Sequence, residues 1–301
     1  MSVSDVASVT PPAGAVQPPV RAEYEQALAP LVDFAPQTPL PWMQRIWQQA
    51  AVRRGVILAV LALLWQWLAV WQDNDLLLPT FTQTAAALVD GVRSGELLQK
   101  ASISLWVLLQ GYMLGIVGAL VLTTLAVSTQ LGRDLLSTLT SMFNPLPAIA
   151  LLPLALLWFG LGTGSLLFVL VHSVLWPLAL NTYAGFQAVP ETLRMAGRNY
   201  GLRGVPYVLQ ILIPAALPSI LSGLKIGWAF AWRTLIAAEL VFGASSGQGG
   251  LGWYIFQNRN ELYTDKVFAG LLSVIGIGLL VETLGFHTLE RLTVRKWGVQ
   301  R

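Results

Sequence analysis

Past residue 50 the chain alternates long apolar runs with short polar gaps. Six runs approach the length of a membrane span: residues 55–71, 103–127, 135–159, 165–188, 216–243 and 267–289. Crossing the hydrocarbon layer as a helix takes about 20 apolar residues, so the first run is barely long enough. The pattern predicts an all-α polytopic membrane protein with about six transmembrane helices. Asp73, Asn74 and Asp75 stop the first run. Residues 81–95, opened by Leu78-Pro79-Thr80, are too interrupted to cross a bilayer and are expected at its outer surface. Gly111, Gly115 and Gly118 in the second run permit close helix approach. Pro145, Pro147 and Pro153 break the third. Lost backbone donors are tolerated at membrane depth only where protein or a water-filled cavity satisfies the freed carbonyls. That run is therefore expected to line a pathway or a buried dimer face, the competing reading being a kinked packing helix.

One long polar interruption divides the second half of the chain, residues 189–215. Pro190 suits a first helical position, and Glu191 complements the positive end of the helix dipole. Leu193, Ala196, Gly197 and Tyr200 recur at i, i+3, i+4 and i+7, which places a small, mildly apolar stripe on one face, with Arg194 and Arg198 on the other side. Gly201 stands where a left-handed C-terminal residue is wanted. Gly204 and Pro206 can start a second short helix, and Pro214 and Pro218 mark the return to the membrane.

Composition agrees with the pattern. Hydrophobic residues make up 55% of the 301 and charged residues 11%, against about 25% charged in soluble domains. The net charge of +3 arises from basic residues scattered between apolar runs, with no aromatic-interleaved basic patch, so a nucleic-acid partner is not expected. There is no cysteine, which removes disulfides, thiol catalysis and Cys-based metal sites. Residues 1–41 hold eight of the 17 prolines and read as a mobile cytoplasmic tail, not a cleaved leader; 42–51 read as a short surface-lying amphipathic piece closed by Arg53 and Arg54. With both termini inside, the inner segments hold twelve Lys or Arg, and the outer ones only Arg93, Lys100, Arg259 and Lys266. That asymmetry obeys the positive-inside rule and places 189–215 in the cytoplasm.

Ionisable residues inside spans cost roughly 2.5 to 3.5 kcal/mol each at mid-bilayer unless paired, so each is a candidate for function. Arg233 reads either as a transient counter-charge for an anion or as a structural partner of Glu239. Lys225 and Glu282 share a depth that makes a pair plausible. His172 is expected to hydrogen-bond between helices. No metal-ligand spacing, Ser/His/Asp set or phosphate-cradling GxxxxGK[ST] occurs, so neither catalytic nor metal residues are assigned and no cofactor is expected on this chain.

The 189–215 segment resembles the loop of ATP-binding-cassette importer permeases, whose pattern is Glu-Ala-Ala, a Gly four residues on, then Ile, any residue, Leu and Pro. Met195, Ala196, Gly197 and Gly201 occupy the first part and Ile211, Ile213 and Pro214 the second; the leading Glu is Met195 and the second Ala is Gly197. Leu78-Pro79-Thr80, Pro147 to Pro153 with Leu157-Trp158-Phe159-Gly160, Trp176-Pro177 with Asn181-Thr182, and Gly223-Leu224-Lys225 with Ala231-Trp232 and Ala238-Glu239 extend the resemblance over nearly everything after residue 50. Together they resemble the permeases of nitrate, sulfonate, taurine and bicarbonate importers. The resemblance implies a multi-pass protein of the bacterial inner membrane and residues 42–301 as its permease domain. It implies a second permease chain as a homodimer, two cytoplasmic ATPase subunits carrying ATP and Mg, and an extracytoplasmic substrate-binding protein. It also implies an ATPase-coupling surface at Glu191, Arg194, Met195, Ala196, Gly197, Arg198, Gly201 and Pro214. Pro145, Pro147, Pro153, Arg233 and Glu239 are the expected path residues. The rival reading is a gradient-driven carrier or channel, for which such a loop has no task.

Overall fold

The structure, a computed structural model, describes residues 47–242 and 249–295. The proline-rich tail 1–41, residues 243–248 and the last basic residues, Lys296 and Arg301, lie outside the described residues. The chain divides after Val56 into two units. In the first, the Arg53 guanidinium donates to the carbonyls of Trp47 (2.8 Å) and Gln48 (2.7 Å).

Helices follow one another along the chain: α1 (Ala50–Gln72), α2 (Phe81–Arg93), α3 (Glu96–Ser128), α4 (Gln130–Phe143), α5 (Ala148–Phe159) and α6 (Thr163–Gln187). Then come α7 (Glu191–Asn199), α8 (Val205–Ala215), α9 (Leu217–Phe242), α10 (Leu251–Asn260) and α11 (Thr264–Thr293). Among the described residues, four helices (α1, α3, α6 and α11) are long and apolar enough to cross a membrane, or up to six spans if the bent pairs α4–α5 and α8–α9 each count as one. The third apolar run, expected as one interrupted helix over 135–159, is two helices at 89°. Pro147 takes an extended conformation (φ −61°, ψ 124°), which ends one axis and starts another. The fifth run likewise turns by 83° between α8 and α9. Pro214 cannot donate to the preceding turn there, and α8 loosens into a π-helical turn at Val208–Leu212.

Helices α3, α6 and α9 form the centre, with Leu108, Ala119, Leu170, Val174, Leu178, Ala231 and Leu235 fully enclosed. Buried positions make up 44% of the apolar window of α6 and 6% of that of α1, so α6 is the pivot and α1 offers its apolar side chains to lipid or a partner. A Cβ on Gly111 or Gly115 would lie 2.5 or 2.6 Å from the Cβ of Leu170 or Val174, so small residues let the backbones of α3 and α6 approach. Tyr112 of α3 donates to the Leu224 carbonyl (2.9 Å), and the Trp232 indole of α9 donates to Val274 of α11 (3.2 Å).

The Leu78-Pro79-Thr80 turn anchors α2 against α1. The Trp65 indole donates to the Pro79 carbonyl (3.0 Å) and the Thr82 amide to Gln66 (3.1 Å), while Thr80 and Gln83 form a reciprocal capping box. Thr80→Ala is expected to lower stability by about 1 kcal/mol, read as a lower melting temperature of the purified chain.

Candidate functional site

Three places gather the residues singled out by the sequence. The first is the α7–α8 knob. Helix α7 ends in a Schellman motif: Leu202 N–H donates to the Gly197 carbonyl (3.1 Å), Gly201 N–H to that of Arg198 (2.9 Å), and Gly201 takes φ +75°. Arg194 is turned toward its own chain, donating through Nη2 to the Phe186 carbonyl (2.6 Å) and through Nε to that of Val189 (3.1 Å). The first carbonyl lies in the last turn of α6 and the second just past its end, so the guanidinium satisfies a helix C-terminus and locks α7 onto it. Glu191 lies 3.8 Å from Arg194 and 4.0 Å from Arg198. The expected stripe is divided: Gly197 is buried against Tyr207 and Ile211, while Leu193, Ala196 and Tyr200 are exposed, Tyr200 at 86%; Met195, off the stripe, is exposed as well. Helix packing explains the division, because α7 must seat on α8 and only the residue without a side chain fits the contact. Pro214 is half-buried in α8 and does not belong to the exposed face.

The second place is the elbow between α4 and α5. Asn144, Pro145, Pro147, His172, Trp176 and Arg233 are among the residues around a cavity of about 330 Å³. Pro153 is not among them; it sits in the first turn of the α-helical part of α5, where a missing N–H costs nothing. The rings of Phe143 and Trp176 stack at 5.3 Å, and His172 packs edge-on against both. Among the described residues the expected interhelical hydrogen bond of His172 is absent: both its ring nitrogens are buried without a partner there. Arg233 donates through Nε to Ala229 (3.0 Å) and lies over the Phe230 ring (5.1 Å).

Glu239 makes the third place, and it corrects two expectations. It neither pairs with Arg233 nor lines the elbow cavity; six residues of helix are one and two-thirds turns, which sends the two side chains in widely different directions. Glu239 is instead 5% exposed at the far end of α9. Ser104 Oγ of α3 donates to its carboxylate (2.8 Å), as does the Gly252 amide (2.7 Å), while Ser104 Oγ accepts from the Leu251 amide (2.8 Å). The carboxylate thus caps the N-terminus of α10 and ties three helices into one knot. A Cβ on Gly250 would fall 2.1 Å from Ser104 Oγ and 2.4 Å from Glu239 Oε1, so only glycine admits the pair. In α10, burial and then the carboxylates of Glu96 and Asp265 push the Tyr254 phenol up to about 12. Sequence reading missed Ser104, Gly250 and Gly252; the one signal for the two glycines was a Gly-Leu-Gly that ends thirteen residues past a carboxylate.

Lys225 pairs with Glu290 (3.3 Å), not Glu282. A π-helical turn at Val281–Phe286 shifts the register of everything after it, bringing Glu290 around. Both side chains are partly exposed, so Lys225→Gln is expected to change stability by less than about 1 kcal/mol, measured by thermal unfolding in detergent.

Spans packed through small residues, an exposed two-helix knob between them and a broken helix beside a cavity define a membrane transport subunit. The family model described as binding-protein-dependent transport system inner membrane component matches residues 111–293. The chain belongs to this family: it is a multi-pass permease of the inner membrane. An Escherichia coli protein named an aliphatic sulfonates transport permease is 33% identical over 67% of this chain and 75% of its own length. The taurine transport system permease of the same organism is 29% identical over 84% and 92%, and the nitrate import permease of Synechocystis is 29% identical over 83% and 91%.

Proposed function

We propose that this permease imports a small anion of the sulfonate, taurine or nitrate kind and is driven by a separate ATPase that engages the α7–α8 knob from the cytoplasm. The observation that carries the reading is the knob itself: an Arg194-locked helix that leaves the apolar side chains of Leu193 and Met195 and the ring of Tyr200 exposed. Such a surface, joined to α6 on one side and to the bent α8–α9 pair on the other, passes motion directly to the central helices. Relatives named for sulfonate, taurine and nitrate transport supply the solute class. ATP and Mg belong to the partner ATPase, a second copy of this chain completes the path, and an extracytoplasmic binding protein delivers the solute. ATP binding draws two knobs together and exchanges inward-open for outward-open states.

The test is purification of the tagged chain from its membrane in mild detergent, followed by uptake in vesicles. Co-purification of a P-loop ATPase and uptake that requires ATP are expected. A chain recovered without one, moving solute on a gradient alone, is a carrier instead.

A further inference from the structure

The elbow cavity holds donors in excess of acceptors. Among the described residues that line it, Arg233 is the one charged side chain and none is a carboxylate. With Nε spent on Ala229, neither Nη group of Arg233 has a partner among the described residues. Trp176, 8% exposed, has its indole N–H buried without an acceptor, and both ring nitrogens of His172, one a donor and one an acceptor in the neutral imidazole, are buried without a partner among the described residues. Buried polar groups are nearly always paired, so two orphaned N–H groups, the Trp176 indole and the one that a neutral His172 ring carries, in side chains lining one cavity point to a missing partner that accepts hydrogen bonds. The cavity also meets the start of α5, where no side chain caps the helix after Pro147. A broken helix presents the positive end of its dipole to whatever occupies that position. Ser173 and Thr234, 3.0 Å apart, complete the wall with hydroxyls.

We infer that the elbow cavity is a binding site for a small monovalent anion in transit, with Arg233 as its counter-charge and the Trp176 N–H as a fixed donor. The site rests on the importer reading and adds to it that the permease selects by charge, separately from the binding protein. Its volume, about 330 Å³, is at the lower end of the range for small-molecule pockets. One cationic side chain, held flat on Phe230, suits a single negative charge released again within a transport cycle.

The experiment is thermal unfolding of the purified full-length chain in detergent, titrated with sodium nitrate or sodium methanesulfonate at fixed ionic strength. Binding to the folded state raises the melting temperature with a saturating dependence. In R233Q the half-saturating concentration is expected to rise at least about tenfold, and in W176F about two- to tenfold. R233K, which keeps the charge, retains most of the response. General salt effects act equally on all four proteins. An identical response from wild type and R233Q, or no saturable response in wild type, overturns the site. ATP-driven uptake, measured separately, decides the importer reading, so an active importer without a saturable anion response loses only the site.

Discussion

Gly201→Asp leaves the chain in the membrane and lowers solute uptake by about a hundredfold, the loss expected when the centre of a docking surface is spoiled. Nothing lies within 4 Å of a Cβ built on Gly201, so the new side chain meets no internal obstacle. Aspartate is also among the few residues that visit left-handed backbone readily, so φ +75° is kept. The fold survives, and what changes is the surface beside Tyr200, which gains a carboxylate where an apolar contact is proposed. Valine at the same position adds backbone strain of about 1 to 2 kcal/mol and loosens the Schellman motif as well. Membrane content by immunoblot, paired with uptake of labelled solute, separates the two effects. Normal uptake by the aspartate variant places the coupling surface elsewhere.

Glu239→Ala is the variant expected to destabilise most. It leaves the Ser104 hydroxyl and the Gly252 amide buried without their acceptor, at about 1 to 3 kcal/mol each, so a loss of about 2 to 6 kcal/mol follows. The melting temperature of the purified chain should fall well beyond that of Lys225→Gln, and α10 should become the first site of proteolysis. Glu239→Gln keeps one acceptor and is expected to lie between alanine and wild type. An alanine variant as stable as wild type contradicts the knot.

Much of this architecture is written in local signals. Apolar runs locate the spans because the bilayer sets a length, and Gly201 announces a helix end because left-handed backbone excludes most side chains. Thr80 and Gln83 carry a capping box in a spacing of three. What local signals lack is direction. Three prolines say where a backbone breaks, but the 89° at the elbow depends on what α4 and α5 pack against. Glu239 looked like a path residue because its acceptor role depends on Ser104, 135 residues away. Lys225 was matched to Glu282 by depth, which assumes a regular helix, and the π turn in α11 breaks that assumption. Gly197 was placed on the outward stripe because periodicity alone does not say which side of an amphipathic helix meets its own chain.

The absence of cysteine makes one measurement unusually clean. In Tyr200→Cys the single thiol sits at the exposed centre of the knob, and a bifunctional thiol-reactive cross-linker in native membranes reports what touches it. Tyr263→Cys, exposed beyond α10, serves as the control expected to face the other side. An adduct of position 200 with a P-loop ATPase is expected and none from position 263, which should instead react with a membrane-impermeant maleimide from outside. Capture of the ATPase at 263, or reaction of position 200 with the external reagent, contradicts coupling through the α7–α8 knob.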